Sequence, residues 1–215
     1  MNPRLDILPP QQRRLWPELS QVGEHFVLYG GTAIALRLAT RQSIDFDFFT
    51  EKPVSADELI REMPFLHGAR LLQAQPNTAT FSVRRDGEIK VSFFGELSFG
   101  RVGVPDRCED NGLWIASLLD LAAQKVKVIL SRAEAKDYLD IHALIEAGVT
   151  LPSALGAAQA LYPEFNPLIS LKALTYYGEA SLDQVPTAVR EKLESESVKV
   201  DRVEPVEKLA GTISR

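Results

Sequence analysis

The clearest pattern of apolar and polar positions lies between residues 25 and 49. Residues 25–29 form a compact apolar run that ends at Gly30 and Gly31. Residues 33–39 then carry apolar side chains among strong helix formers. Because glycines between an apolar run and a helical segment are typical of a tight connection, the pattern predicts a strand, a turn and a helix in that order.

Residues 43–49 alternate apolar and acidic side chains with the period of a strand. Phe46 and Phe48 would therefore face one side of that strand. Asp45 and Asp47 would face the other, because side chains two positions apart on a strand point in the same direction. The sequence thus predicts a strand that presents two carboxylates on one surface.

The rest of the chain is predicted to change from mixed to helical periodicity near residue 117. Before that point we expect an opening helix broken near Pro17, a helix at 53–63, and strands at 69–75, 78–84 and 88–94. After it we expect helices at 117–131, 133–146, 152–161 and 167–177, then a solvated helix after Pro186 and a mobile end. The predicted class is α+β, with an α+β core over residues 1–112 and a helical region over residues 113–215.

The composition of the chain limits the classes of protein to which it can belong. The chain has 215 residues, enough to bury a core, and its single cysteine, Cys108, excludes a disulfide framework. No stretch approaches the roughly 18 consecutive apolar residues of a membrane span, and the first residues lack the apolar core of a signal peptide. The net charge of -5 argues against a broad face for nucleic acid. We expect a cytoplasmic protein without a membrane partner, in which Cys108 is buried.

Asp45, Asp47 and the glycine turn together indicate metal-dependent chemistry on phosphates. Nucleotidyl transfer uses a divalent metal held by hard oxygen ligands, and two carboxylates on one strand supply such ligands. A glycine turn that opens a helix brings backbone N–H groups close to phosphates, and Thr32 adds a hydroxyl. Alone, a Gly-Gly pair is usually only a turn and an Asp-x-Asp segment only a solvated strand face. Their order and spacing together favour a metal and nucleotide site.

Charged side chains also fall on the apolar faces of two predicted helices. At about 100° per residue, Lys125 and Arg132 lie within the apolar arc of the first helix, and Asp120 lies on its solvated side. On the next helix Asp137 lies among apolar residues, with Asp140 near the edge of the same face. Because burying an unpaired charge is costly, these residues should line a polar cleft or pair with each other. A purely structural ion pair between Lys125 and Asp137 is the alternative.

Two motifs can be compared with known families. The first is Leu-Tyr-Gly-Gly-Thr-Ala-Ile-Ala-Leu-Arg-Leu at 28–38, followed by Arg41 and by Ser-Ile-Asp-Phe-Asp-Phe-Phe at 43–49. The second is Leu-Ala-Ala-Gln-Lys-Val-Lys at 121–127, followed by Arg132 and by Lys-Asp-Tyr-Leu-Asp-Ile at 136–141. Both resemble motifs of the AbiEii/AbiGii toxin family within the DNA polymerase β-like nucleotidyltransferase superfamily. The resemblance covers the span from about residue 25 to residue 148.

The resemblance implies a fold and a set of site residues. The fold would be a nucleotidyltransferase-like mixed β-sheet flanked by helices, with the helical region completing an active-site cleft. The catalytic residues would be Asp45, Asp47, Lys125 and Asp137, of which Asp45 and Asp47 would also be the metal ligands. The nucleotide-binding residues would be Gly30, Gly31, Thr32, Arg41 and Arg132. Asp137 would orient Lys125 or act as a general base, and Asp140 would brace its helix against Lys136.

The implied reaction transfers a nucleotide from an NTP, with Mg²⁺ or Mn²⁺, to an acceptor. The acceptor could be RNA, including a tRNA 3′ end, and the protein could be the toxin of a toxin–antitoxin or phage-defence pair with a cognate antitoxin as partner. Two other hypotheses stay open. The acidic composition favours a small-molecule acceptor over RNA, and a non-catalytic nucleotide-binding relative would act through a protein partner.

The non-catalytic hypothesis is motivated by one departure from the superfamily pattern. Ser92 stands where a third carboxylate is expected, on a strand beside the Asp-x-Asp strand. Glu88 and Glu96 share its parity and could compensate, or Asp137 could take the role.

Overall fold

The protein is described by a computed structural model that covers residues 1–215. Seven strands form one sheet: β1 (Val27–Tyr29), β2 (Asp45–Phe49), β3 (Arg70–Gln75), β4 (Thr78–Arg84), β5 (Glu88–Phe94), β6 (Asp106–Arg107) and β7 (Trp114–Ile115). The α-helices are α1 (Pro10–Leu15), α2 (Gly30–Leu38), α3 (Ala56–Glu62), α4 (Leu118–Val128), α5 (Ala135–Glu146), α6 (Leu151–Leu161), α7 (Pro167–Leu174) and α8 (Thr187–Val198). The predicted α+β class is confirmed.

The sheet is mixed, and β2 lies near its centre. The strand order is β3-β4-β5-β2-β1-β7-β6. β2 pairs with β1 in antiparallel orientation and with β5 in parallel orientation. On one side of β2, β5 pairs with β4 and β4 pairs with β3, both in antiparallel orientation. On the other side, β1 pairs with β7 in parallel orientation. The strand with the two carboxylates is therefore held on both sides.

One face of β2 belongs to the hydrophobic core. Phe46 and Phe48 are fully buried, and the ring of Phe48 stacks on that of Phe93 with centroids 5.3 Å apart. Phe26 and Phe81 contact the Phe93 ring edge-on. Because alternate side chains leave a strand on opposite faces, this aromatic packing fixes which way Asp45 and Asp47 point.

The chain divides into two compact units. The sheet unit comprises Met1–Gly100, Val104–Ser117 and Ala210–Arg215, and it contains all seven strands. The helical unit comprises Arg101–Gly103 and Leu118–Leu209. The division at residue 112 stays a prediction. The role of the helical region in completing an active-site cleft also stays a prediction.

In the helical unit α4 packs against α5 and α6, and α8 packs against α5 and α7. The start of α6 is capped by the Thr150 hydroxyl and the start of α7 by the Asn166 side chain, which accept backbone N–H groups of the first turn. The segment before the end of the chain crosses α6 at Gly156, where an added Cβ would clash with the Glu204 carbonyl oxygen. Only glycine allows that approach.

Two expectations need correction, and two strands were not predicted. α8 is not fully solvated, because Val189 and Leu193 are buried. The end of the chain, expected to be mobile, has fixed contacts: Ile213 is buried, and Glu51 accepts hydrogen bonds from the backbone N–H groups of Ile213 and Ser214. β6 and β7 were not predicted, because two residues show no period.

Cys108 is buried as expected, and its burial raises the pKa of the thiol to about 12. No single helix combines the length and apolar character needed to cross a membrane. α5 and α6 have that length and apolar character only when taken together, as a pair bent by 116°.

Candidate active site

The carboxylate face is the side of β2 that carries Asp45 and Asp47. In the sheet register Asp47 lies between Tyr29 of β1 and Ser92 of β5, and Asp45 lies beside Lys90. The Lys90 Nζ is 3.9 Å from Asp45 Oδ2, and the Asp45 side chain is 34% exposed. Both aspartates are partly exposed. Two carboxylates therefore project side by side from a rigid strand into a region that solvent reaches.

The glycine turn brings this face close to the start of α2. Gly30 has φ +73°, and a Cβ there would lie 2.7 Å from Asp47 Oδ2. A Cβ on Gly31 would lie 2.7 Å from Arg41 Nη2 and 2.8 Å from Ser43 Oγ. The N-cap residue Tyr29 gives no side-chain cap to α2. A helix N-terminus with its amides, a carboxylate and a guanidinium thus meet where side chains would not fit.

Thr32 joins the turn to the carboxylate strand. Its side chain is fully buried, and its hydroxyl donates a 2.5 Å hydrogen bond to the Asp45 carbonyl oxygen. This bond connects the first turn of α2 with the first residue of β2. The Thr32 hydroxyl therefore positions the Asp45 backbone.

Ser92 occupies the position where a third carboxylate was expected. β5 lies directly beside β2 as predicted, with Ser92 in register with Asp47. The Ser92 hydroxyl is buried and accepts a hydrogen bond from the Thr80 hydroxyl at 3.3 Å. The two glutamates considered as substitutes are exposed and bonded elsewhere, Glu88 to Arg70 and Glu96 to Asn77.

The donor set of the carboxylate face suits Mg²⁺ bound together with a phosphate ligand. No group of three or more His, Cys, Asp or Glu side chains forms a metal site by itself. Mg²⁺, however, usually takes only one or two protein carboxylates and completes its shell with water and substrate phosphates. Asp45 and Asp47 match that requirement, and Gly30 of the glycine turn lies next to the Asp47 carboxylate.

A second cluster of charges lies inside the helical unit. Lys125 Nζ is 2.7 Å from Asp137 Oδ1 and 2.7 Å from Asp140 Oδ2. Lys125 is 4% exposed and both aspartates are fully buried, so the predicted inward direction of Lys125 and Asp137 is confirmed. The Arg132 Nε is 3.0 Å from Asp137 Oδ2. Two cations and two carboxylates thus form one compact network, in which the Lys125–Asp137 ion pair considered as the alternative is present.

This network sets the charge state of Asp137. Burial alone opposes ionisation and would raise the pKa of Asp137, but the Lys125 ammonium and the Arg132 guanidinium outweigh burial and hold that pKa below its ordinary value. Asp137 is therefore a carboxylate at neutral pH, with one oxygen on Lys125 and the other on Arg132.

Comparison with known proteins decides the family. The model of the family described as "Nucleotidyl transferase AbiEii toxin, Type IV TA system" matches residues 14–204 of the chain. The chain belongs to the AbiEii nucleotidyltransferase toxin family. The resemblance noted in the two sequence motifs is confirmed, and the family match extends well beyond them.

One relative is similar to the chain in sequence, and solved structures are similar to it in fold. An uncharacterized protein of Aquifex aeolicus (strain VF5) is 33% identical over 178 residues, covering 80% of this chain and 84% of its own. The nucleotidyltransferase toxin MenT4 of Mycobacterium tuberculosis H37Rv superposes with a TM-score of 0.62 at 18% identity, over 92% of this chain and 84% of its own. A candidate nucleotidyltransferase of H. pylori gives 0.58 at 18% identity, over 87% and 90%. The predicted nucleotidyltransferase-like fold is confirmed.

Two expectations about charged residues in this AbiEii-family chain were wrong. Asp140 does not brace α5 against Lys136; it bonds Lys125, while Lys136 pairs with Glu134 at 2.6 Å. Arg132 does not lie on the apolar face of a helix, because α4 ends at Val128 and the Arg132 side chain is 46% exposed. A contact across helices decides the position of Asp140, and the early end of α4 decides that of Arg132.

Asp120 has a structural role that the helix pattern did not predict. It was expected on the solvated side of α4, but it is buried and accepts hydrogen bonds from the backbone N–H groups of Val102 and Gly103 at 2.8 and 3.0 Å. The helix pattern gives no signal for these bonds, because their donors lie at residues 102 and 103, well before α4 in the chain.

The predicted site residues of this AbiEii-family protein are divided between the two units. Gly30, Gly31, Thr32, Arg41, Asp45 and Asp47 belong to the sheet unit, and the structure brings them together. Lys125, Arg132 and Asp137 belong to the helical unit, and they also form one group. That the two groups line one cleft stays a prediction.

Proposed function

We propose that the protein transfers a nucleotide from an NTP to an RNA acceptor, with Mg²⁺ or Mn²⁺ held by Asp45 and Asp47. The observation that carries this proposal is the meeting of the Asp47 carboxylate, which shares its strand face with Asp45, with an uncapped helix start at Gly30 and Gly31. Metal and amides together would neutralise a triphosphate and orient it for attack by a hydroxyl. The reaction is consistent with a cytoplasmic location.

Residues of the sheet unit would bind the phosphates and the metal. The first amides of α2 and the Arg41 guanidinium next to Gly31 would contact phosphate oxygens. Asp45 and Asp47 would hold the cation, which supplies charge neutralisation when bound. Thr32 would contribute by fixing the backbone of Asp45.

Residues of the helical unit would act on the same triphosphate. Arg132 is half exposed and can present its guanidinium to a phosphate while it stays close to Asp137. Lys125 is held by two aspartates, so it would act from a fixed position on the charge that develops during transfer. With both oxygens bonded, Asp137 is better suited to orient Lys125 than to accept a proton.

A cognate antitoxin is the partner we propose, because the matched family is described as part of a type IV toxin–antitoxin system. RNA is the proposed acceptor, and a tRNA 3′ end is the acceptor we would examine first.

The test is transfer of label from each of the four NTPs to total RNA in the presence of Mg²⁺. We expect Asp45→Asn, which keeps the shape and removes the charge, to lower labelling at least about 100-fold. Lys125→Met should also abolish labelling, and Lys127→Met is its matched control because Lys127 lies on the exposed side of α4, over the Tyr162 ring. Thermal unfolding of each variant checks that it is folded. Undiminished labelling by folded Asp45→Asn would contradict the assigned site.

A non-catalytic nucleotide-binding protein is the second candidate, and Ser92 favours it. The buried Ser92–Thr80 hydroxyl pair lies where the superfamily pattern places a carboxylate. This candidate predicts NTP binding in calorimetry without label transfer to any acceptor. Label that appears in products resistant to ribonuclease would instead identify a small-molecule acceptor, which the net charge of -5 also favours.

A further inference from the structure

Aromatic rings continue the carboxylate face beyond Asp47. Phe49 follows Asp47 by two positions on β2, so its side chain leaves the strand on the same side as both aspartates. Its ring stacks on Tyr29 with centroids 4.8 Å apart and planes 12° apart. Phe94, in register with Phe49, meets it edge-on at 5.2 Å, and Phe99 does so at 6.2 Å. We call these four rings of the sheet unit the aromatic cluster.

The aromatic cluster differs in exposure from the aromatic residues of the core. The rings on the opposite face of the sheet are completely buried: Phe46, Phe48, Phe81 and Phe93. Phe49, Phe94 and Phe99 are each partly exposed, and only Tyr29 is closed off. An apolar surface beside two carboxylates therefore stays in part accessible.

The position of the cluster matches the size of a nucleotide. Two residues along a strand span about 7 Å. The separation between the Asp47 carboxylate and the Phe49 ring is therefore roughly the separation between a phosphate and the base of the same nucleotide. The glycine turn lies toward the Asp45 end of this face, because β1 runs antiparallel to β2 and ends at Tyr29 beside Asp47. Phosphates at the turn and a base at Phe49 would thus lie on opposite sides of Asp47.

We propose that the aromatic cluster is a subsite for a nucleobase, with Phe49 as the stacking residue. This proposal rests on the proposed function. It assigns the base of the nucleotide or of the acceptor to the aromatic cluster, which lies on the same face of the sheet as Asp45 and Asp47. Every base has a π face, and stacking on Phe or Tyr is tolerant of base identity. The base belongs either to the NTP or to the terminal nucleotide of the acceptor.

The test compares Phe49→Leu, which keeps an apolar side chain of similar reach, with Phe49→Tyr, which keeps the ring. NTP affinity is measured by calorimetry with Mg²⁺, and inorganic tripolyphosphate serves as the probe that lacks a base. Phe94→Leu gives a second variant, and Tyr176→Leu, an exposed aromatic of the helical unit, is the control. Thermal unfolding verifies that each variant is folded.

We expect Phe49→Leu to weaken NTP binding about tenfold, equivalent to about 1.4 kcal/mol, with tripolyphosphate binding unchanged and Phe49→Tyr close to wild type. If the base is the acceptor's, NTP affinity is unchanged and the KM for RNA labelling rises by a similar factor. The subsite is overturned if neither quantity changes, or if NTP and tripolyphosphate binding weaken equally. A wild-type protein that binds no NTP and labels no RNA overturns the proposed function and the subsite together.

Discussion

Lys125, Asp137 and Asp140 are charged side chains that the helical unit buries, and Arg132 joins them from a partly exposed position. Two cations and two carboxylates are within hydrogen-bond distance of one another, so each buried carboxylate has a cationic partner. Removing Lys125 would take the buried cation away from two buried carboxylates, which costs far more than an exposed ion pair contributes. The cluster is therefore both a structural element of the helical unit and the proposed source of positive charge for a triphosphate.

Asp137 should make stability depend on acid pH. Burial alone would raise its folded-state pKa, but Lys125 and Arg132 together outweigh burial and hold that pKa below the ordinary value. Its contribution is therefore complete above about pH 4, where the unfolded carboxyl is also ionised, and is lost as pH falls toward the folded-state pKa. We expect Asp137→Asn to be less stable at neutral pH and to lose less stability on acidification below about pH 4. Urea unfolding at several pH values measures both slopes; parallel slopes would contradict the assignment.

Ser92 offers a test of the metal site through stability. Ser92→Asp places a third carboxylate in register with Asp47 at a buried position. Without a cation the two charges repel, so we expect a loss on the order of 2 kcal/mol in EDTA. Excess Mg²⁺ should restore much of it, because the cation binds only the folded site. Ser98→Asp, an exposed position in the same unit, is the control for added charge. An equal Mg²⁺ effect on both variants in thermal unfolding would place the metal elsewhere.

Among the elements, those with a long alternating or helical period could be predicted from the sequence. The strands expected at 78–84 and 88–94 are observed as β4 and β5 with the same bounds, and the carboxylate strand lies within 43–49. α4 ends earlier than its apolar pattern suggests, because i to i+3 bonds at Leu130 and Ser131 tighten the last turn. The Lys125–Asp137 pair could be considered, because both charges fall on apolar helix faces. Asp140 as a second partner of Lys125 could not be predicted, since a helical period shows the face on which a residue lies and not the neighbour that it meets.

The turn between β1 and α2 should tolerate substitution poorly. Gly30→Ala would force a Cβ into a left-handed backbone conformation and to within 2.7 Å of Asp47 Oδ2. Gly68→Ala is a matched control, because Gly68 has φ +77° and nothing within 4 Å of its added Cβ. We expect Gly68→Ala to lose about 1 kcal/mol and Gly30→Ala about 1–2 kcal/mol more. Equal losses in urea unfolding would mean that Asp47 moves away at no cost.

On the scale of the whole molecule, the chain passes from the sheet unit to the helical unit and back. Leu118–Leu209 belongs to the helical unit, and Ala210–Arg215 rejoins the sheet unit. Glu51, two residues after the carboxylate strand, fixes the returning segment. Burial alone would raise the pKa of Glu51, but the Ser214 hydroxyl and backbone N–H groups outweigh burial and hold that pKa below its ordinary value. Glu51 is thus ionised at neutral pH. A carboxylate is a strong hydrogen-bond acceptor, which suits the three hydrogen bonds that Glu51 accepts.

Glu51→Gln should release this segment without unfolding either unit. One Glu51 oxygen accepts the Ser214 hydroxyl at 2.6 Å, and the other accepts the N–H groups of Ile213 and Ser214, each at 3.2 Å. An amide has only one acceptor oxygen, so charge-assisted bonds are lost and the two amides should exchange with deuterium about tenfold faster or more. Glu207→Gln, at an exposed position of the helical unit, is the control. Unchanged exchange in Glu51→Gln would mean that the burial of Ile213 alone holds the segment, and the carboxylate would then have no role in it.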